Sequence, residues 1–308
     1  MKVWKKVATL SFGIAAVLGL AACGSSKDDA KEAKAYVPKE LTVQFVPSQS
    51  AETLEAKAKP LEKLLGDKLG IPVHVSVSTD YNTIVEAMSS KQVDVGFLPP
   101  NAYVLAHEQS GVKVLLQAQR FGVVQPGGKP SDELVDSYRS MIVVRSDSGI
   151  KDIKDLKGKT IATQDVTSSA GYVWPVAELQ DAGIDINKDV TTVQVKGHDQ
   201  AILSVLNGDV DAAFAFEDAR TTVMKDYPNV MKEVTPLYFT QPIPNDTIAV
   251  RPDMDDAWQK KIQDAFIAIG KDDEGHKIIS EVYSHEGYVP SKDSNFDIVR
   301  DYAKKVGQ

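Results

Sequence analysis

A single cysteine stands among the 308 residues, so no disulfide can form within the chain. The five histidines, His74, His107, His198, His276 and His285, show neither HxH nor HExxH spacing, and with them goes the usual pattern of a metal hydrolase. Aromatic residues make up only 7 %, which argues against a cleft built to stack a large planar ligand. The apolar run at 7–20 falls short of the ~20 residues a membrane span needs. Basic residues are outnumbered, 35 against 43 acidic, for a net charge of −8, which argues against a nucleic-acid partner. What is present is the balance of a soluble globular protein, 43 % apolar and 25 % charged, in a chain comfortable for two lobes.

The N-terminus is a targeting segment. Lys2, Lys5 and Lys6 precede the apolar run, which ends at Leu20-Ala21-Ala22-Cys23-Gly24. The lone cysteine sits at that junction, a spacing that resembles the bacterial lipobox, so Cys23 is expected to carry a lipid anchor. Residues 1–22 then form the signal peptide, and 23–39, small and charged, a flexible tether. Losing three lysines from 35 leaves 32 basic against 43 acidic residues, a net charge of −11. Any anion this chain binds must be held by local donors and dipoles.

Strand and helix patterns alternate along the body, which implies a largely parallel sheet covered by helices. The scheme repeats. Tyr81 and the helix after it lead to the strand 93–97; His198 and its helix lead to the strand 210–214, at a constant offset of 117. The strand 42–46 followed by Ser48-Gln49-Ser50 is echoed by the strand 160–163 followed by Thr167-Ser168-Ser169. Two similar α/β lobes follow, with 40–138 as the first, 139–249 as the second, and 250–308 returning to the first. The strand-like segments 138–145 and 246–251 are expected to form a two-strand hinge.

The turn Asp165-Val166-Thr167-Ser168-Ser169-Ala170-Gly171 follows a strand and opens a helix. Hydroxyls, free N–H groups and the positive end of a helix dipole suit it to a tetrahedral oxyanion, although Ser and Thr also cap helices with no ligand. His198 and Tyr81, equivalent in the repeat, fall at matching corners of the two lobes. Glu217, Asp218 and Arg220 follow a strand, at the end where open α/β sheets bind ligands, though such a loop is also commonly solvated. Asp246 introduces the second hinge strand, where it could cap a turn or meet a ligand.

In order and spacing, Thr79-Asp80-Tyr81, Val93-Asp94-Val95-Gly96-Phe97, the 165–171 turn, Gly197-His198-Asp199, the 207–213 segment and Ile243-Pro244-Asn245-Asp246 resemble the phosphate/phosphite/phosphonate-binding proteins of ABC importers. The resemblance covers about 41–300 and implies a type II periplasmic-binding-protein fold. It further implies that Thr167, Ser168, Ser169 and Ala170 grip the oxyanion with His198 beside them, that Tyr81 closes the cleft, and that Tyr138 lies near the hinge. Asp218 and Asp246 match acids that hold a ligand's ammonium group in aminophosphonate binders. Ala170 stands where a third hydroxyl is common, so only its backbone N–H can serve. The implied protein is an extracytoplasmic lipoprotein and a monomer without cofactor or catalysis. Its partners are a small phosphorus oxyanion, ABC permease subunits and, through its anchor, the membrane. The alternative is the same fold holding another ligand, such as a phosphorylated vitamin.

Overall fold

Alternation builds the first strands of the computed structural model, which describes residues 35–308. Strand β1 (Leu41–Phe45) turns Leu41, Val43 and Phe45 fully inward and leaves Thr42 and Gln44 partly exposed. Helices α1 (Ala51–Ala58) and α2 (Leu61–Leu69) follow, then β2 (Val73–Val77), whose Val73 and Val75 are buried and whose His74 and Ser76 are not. Helix α3 (Tyr81–Ser89) starts where the Asp80 carboxylate accepts the Thr83 N–H at 2.7 Å. Its buried Tyr81, Ile84, Val85 and Met88 recur at helical spacing. Strand β3 (Val95–Leu98), buried throughout, leads to α4 (Pro100–Ser110) and to a long antiparallel hairpin of β4 (Lys113–Val124) and β5 (Lys129–Val135).

The chain then crosses. Strand β6 (Ser137–Tyr138) precedes the second-lobe elements β7 (Ser140–Arg145) and β8 (Thr160–Thr163), and a single π-helical turn, Ser169–Val173, leads into α5 (Trp174–Asp181). Next come β9 (Thr191–Gln194), α6 (His198–Asn207), β10 (Ala212–Phe216), α7 (Val230–Glu233), β11 (Val234–Phe239) and β12 (Ile243–Pro244). The return consists of β13 (Thr247–Val250), α8 (Asp256–Ile269), α9 (Asp273–Tyr283), β14 (Gly287–Pro290) and α10 (Asp297–Lys305). Two sheets result, in the orders β14-β4-β13-β3-β1-β2, with β5 on β4, and β11-β7-β10-β8-β9. The expected repeat is visible in these elements: α3 and α6 begin 117 residues apart, as do β3 and β10.

Three expectations are corrected. The sheets are mixed, not largely parallel: β1 pairs in parallel with β2 and β3, and β8 with β9 and β10, but every other partnership in the two sheets is antiparallel. The hinge is shorter than 138–145 with 246–251. It is β6 against β12, Tyr138 opposite Ile243 and Ser137 opposite Pro244, while β7 lies wholly in the second sheet. Strand β13 lies wholly in the first, between β3 and β4, so the second lobe closes before residue 247 and not at 249. Both β7 and β13 are fully flanked and their apolar runs bury on both faces, which exposed crossing strands would not. The signal segment, Cys23 and the tether as far as residue 34 lie outside the described residues.

The lobes meet directly. The His198 N–H donates to the Ser48 carbonyl at 2.9 Å, and the Asn101 N–H donates to Ser169 Oγ at 3.0 Å. Behind them α10 touches the second lobe, with the Tyr302 ring stacked on Trp174 at 4.3 Å and its hydroxyl donating to Glu178 at 3.0 Å. Among the described residues no helix is long and apolar enough to cross a membrane.

Candidate functional site

Local hydrogen bonds shape the turn after β8. The Asp165 carboxylate accepts the Thr167 N–H at 2.9 Å and its hydroxyl at 2.8 Å. Ser168 Oγ caps the π-helical turn by accepting the Gly171 N–H at 3.1 Å. The Gln164 N–H donates to the Gly171 carbonyl at 3.0 Å, and a Cβ on Gly171 would overlap the Gln164 side chain, so the strand end and the turn close up only around glycine. The N–H groups of Ser169 and Ala170 have no acceptor among the described residues.

Between the lobes this turn borders a cavity of about 70 Å³. At roughly 10–15 Å³ per water-sized occupant, that is room for about five to seven heavy atoms, the size range of a small tetrahedral oxyanion. Tyr81, Ser168, Ala170 and His198 line it, with Tyr138 and Asp246 at the hinge side. Burial, reinforced by the Asp246 charge, pushes the Tyr81 and Tyr138 phenols above their ordinary value, so both stay protonated donors. Burial drives the His198 imidazole down to about 3, so it is neutral at physiological pH; its ring packs edge-on against Phe216 at 4.8 Å. Asp246 Oδ2 lies 3.6 Å from Nε2 of the buried His285.

Three expected residues do not line the cavity. Thr167 spends its hydroxyl proton on Asp165, and Ser169 Oγ accepts the Asn101 N–H across the cleft. Asp218 is the larger departure. Its Oδ2 accepts Arg120 Nη2 at 2.6 Å, in a pair nearly closed to solvent, while its Oδ1 is buried with no partner among the described residues. Arg120 comes from β4 in the first lobe; burial is the largest single influence on its guanidinium and lowers it, but the charge and hydrogen bond of Asp218, with the charges of Glu217 and Asp246, together raise it. Removing one partner of such a pair costs about 3–5 kcal/mol. Glu217 and Arg220 serve the same junction: Gln125 donates to Glu217 Oε2 at 3.2 Å, and Arg220 Nη2 donates to the Pro126 carbonyl at 2.6 Å.

Arg120 itself lines the cavity, as do Ser48, Gln49 and Asn245, which sequence reasoning had passed over. Two signals were available. In β4 the inward phase runs Leu116, Ala118, Arg120, which puts a charge where an apolar residue belongs, while Phe121 points out. Ser48 is the repeat partner of the turn after β8. Ser48 Oγ, His198 Nδ1, Asn245 Nδ2 and Arg120 Nε are buried with no hydrogen-bond partner among the described residues, and all four belong to this wall. No three His, Cys, Asp or Glu side chains among the described residues converge as a metal site requires.

Two α/β lobes around a two-strand crossing, with a polar cavity between them, define a binding protein of the type II periplasmic-binding-protein fold. Residues 43–296 match the family described as ABC transporter, phosphonate, periplasmic substrate-binding protein, and the chain belongs to that family. It is 31 % identical over 229 residues to the phosphate-import protein PhnD of Mycolicibacterium smegmatis, covering 72 % of this chain and 68 % of that one. It is 24 % identical over 265 residues to the phosphonates-binding periplasmic protein of Escherichia coli, covering 83 % and 73 %. The fold is shared with PhnD1 from Prochlorococcus marinus in complex with methylphosphonate, with a TM-score of 0.75 and 18 % identity over 88 % of this chain and 99 % of that one.

Proposed function

We propose that this chain is the lipid-anchored, extracytoplasmic binding protein of an ABC importer. It captures a small phosphorus oxyanion of the phosphonate or phosphite type between its lobes and delivers it to the permease without transforming it. The observation that carries this reading is the cavity wall. The second lobe offers the Ser168 hydroxyl and the free Ser169 and Ala170 N–H groups, and the hinge side offers Tyr138. The first lobe brings Tyr81 and Arg120. Donors of this kind hold an anion in a net-acidic protein because hydrogen bonds to a charged partner are strong at short range. Ligand affinity for the closed arrangement shifts the lobes toward it, the state a permease would engage. About 70 Å³ is too small for a phosphorylated vitamin, which disfavours that alternative.

Calorimetric titration of the purified protein with inorganic phosphate, phosphite and methylphosphonate tests the reading. One-to-one binding of at least one is expected, with no phosphate released from the phosphonate on incubation; binding of none would sink it. Anchoring is tested separately. Cys23→Ala should release the protein or leave its precursor unprocessed, and a mutant processed and retained like wild type would refute the lipid anchor.

A further inference from the structure

Charge on the cavity wall is sparse. Arg120 is the one lining side chain with a fixed positive charge and Asp246 the one carboxylate; the other polar groups are neutral donors and acceptors. The carboxylate of Asp218 stands off the wall; its Oδ2 is paired with Arg120 at 2.6 Å, and its Oδ1 is buried with no partner among the described residues. The pair spans the two lobes, with Arg120 on the first-lobe strand β4 and Asp218 after the second-lobe strand β10. The tip of the β4–β5 hairpin is held on the second lobe by Gln125 to Glu217 and by Arg220 to Pro126, so the guanidinium's place is set when the lobes meet. Its Nε remains without a partner among the described residues.

We infer that Arg120 determines which oxyanions this cavity accepts. Its guanidinium, paired with Asp218, is a built-in cation in the place where an amine-bearing ligand would need a free acid, so the occupants are small phosphorus oxyanions with no cationic tail. This rests on the oxyanion reading above. An ammonium group entering here would meet the Arg120 guanidinium at close range, with Asp246 the one carboxylate on the cavity wall to balance it. An amine-free oxyanion meets the opposite situation, because the guanidinium fork supplies donors matched to its oxygens.

The test is calorimetry with methylphosphonate and 2-aminoethylphosphonate on the wild type, Arg120→Ala and the double variant Arg120→Ala with Asp218→Asn. Wild type should bind methylphosphonate at least about tenfold tighter than the amine. Arg120→Ala frees Asp218, so methylphosphonate should weaken by about tenfold or more while 2-aminoethylphosphonate gains, which reverses the ranking. Adding Asp218→Asn should abolish that gain. Should Arg120→Ala lose its near-ultraviolet circular dichroism, Arg120→Lys replaces it; the cation is kept, and so should be the ranking. Equal binding of both ligands by wild type, or an equal loss for both in Arg120→Ala, would overturn the inference while leaving the oxyanion reading intact. If wild type binds neither ligand nor inorganic phosphate, the oxyanion reading itself fails, and this inference with it.

Discussion

Two turns face each other across the cleft at equivalent places in the repeat, and they are built differently. The one after β8 is tied from within and from across the cleft: Asp165 to Thr167, Ser168 to Gly171, Ser169 to Asn101. The one after β1 is held by its backbone instead: the Ser48 N–H donates to the Val46 carbonyl and the Ser48 carbonyl accepts the His198 N–H, both at 2.9 Å. Ser48 Oγ has no partner among the described residues, and Ser50 starts α1 without a side-chain cap. A preorganised turn binds at lower cost, because its donors are already fixed and desolvated. On the proposed function, the second lobe seats the anion and the first lobe is the cover that brings Tyr81, Ser48 and Arg120 to it.

The contrast can be broken most severely at Gly171. A Cβ there would overlap the Gln164 side chain, whose Nε2 donates to the Gly197 carbonyl at 3.0 Å, so Gly171→Ala should disturb both the turn and the start of α6. Overpacking of this kind costs about 1–3 kcal/mol, and oxyanion binding should fall more than about a hundredfold. A thermal melt and a titration check the two effects, and a variant unchanged in both would show that the turn is not preorganised. Ser168→Ala removes one hydroxyl from the wall and one cap; binding should weaken by about tenfold to a hundredfold, at a stability cost of only about 1 kcal/mol.

His198 sharpens the comparison through pH. Its folded value, about 3, lies below the ordinary imidazole value of 6.5, so the unfolded chain binds the proton first. The stabilising contribution is fully present above about pH 6.5 and is lost as pH falls toward 3. Between pH 6.5 and 5 that loss approaches about 2 kcal/mol. Thermal melts of the ligand-free protein should show a steeper acid-side decline than those of His198→Asn, and parallel curves would mean His198 is hydrated. The smallest effect belongs to the turn after β1, whose Ser48 side chain has no partner among the described residues. Ser48→Ala should weaken binding by only about twofold to tenfold, as for a neutral hydroxyl, and a loss as large as that of Ser168→Ala would erase the asymmetry.

Much of this molecule was legible in its sequence because period and repetition are local signals. The 117-residue offset placed Tyr81 and His198 at matching helix starts, and the Ser-rich turn announced a helix N-terminus. The pairing of Asp218 with Arg120 was not legible because the two lie 98 residues apart, on elements that meet only once the β4–β5 hairpin folds across. The hinge was drawn too long for a similar reason. The runs 142–144 and 247–250 read as strands, but which sheet a strand joins is decided by tertiary pairing, and β7 and β13 each found two flanking partners.

The most direct test of the seat-and-cover arrangement is the amide proton resonances of Ser169 and Ala170, recorded with and without a saturating small oxyanion such as methylphosphonate. If these N–H groups hold the ligand, both resonances should move downfield as they gain a charged acceptor. Unmoved resonances for both, in a sample that calorimetry shows to be saturated, would contradict the placement of the anion on this turn.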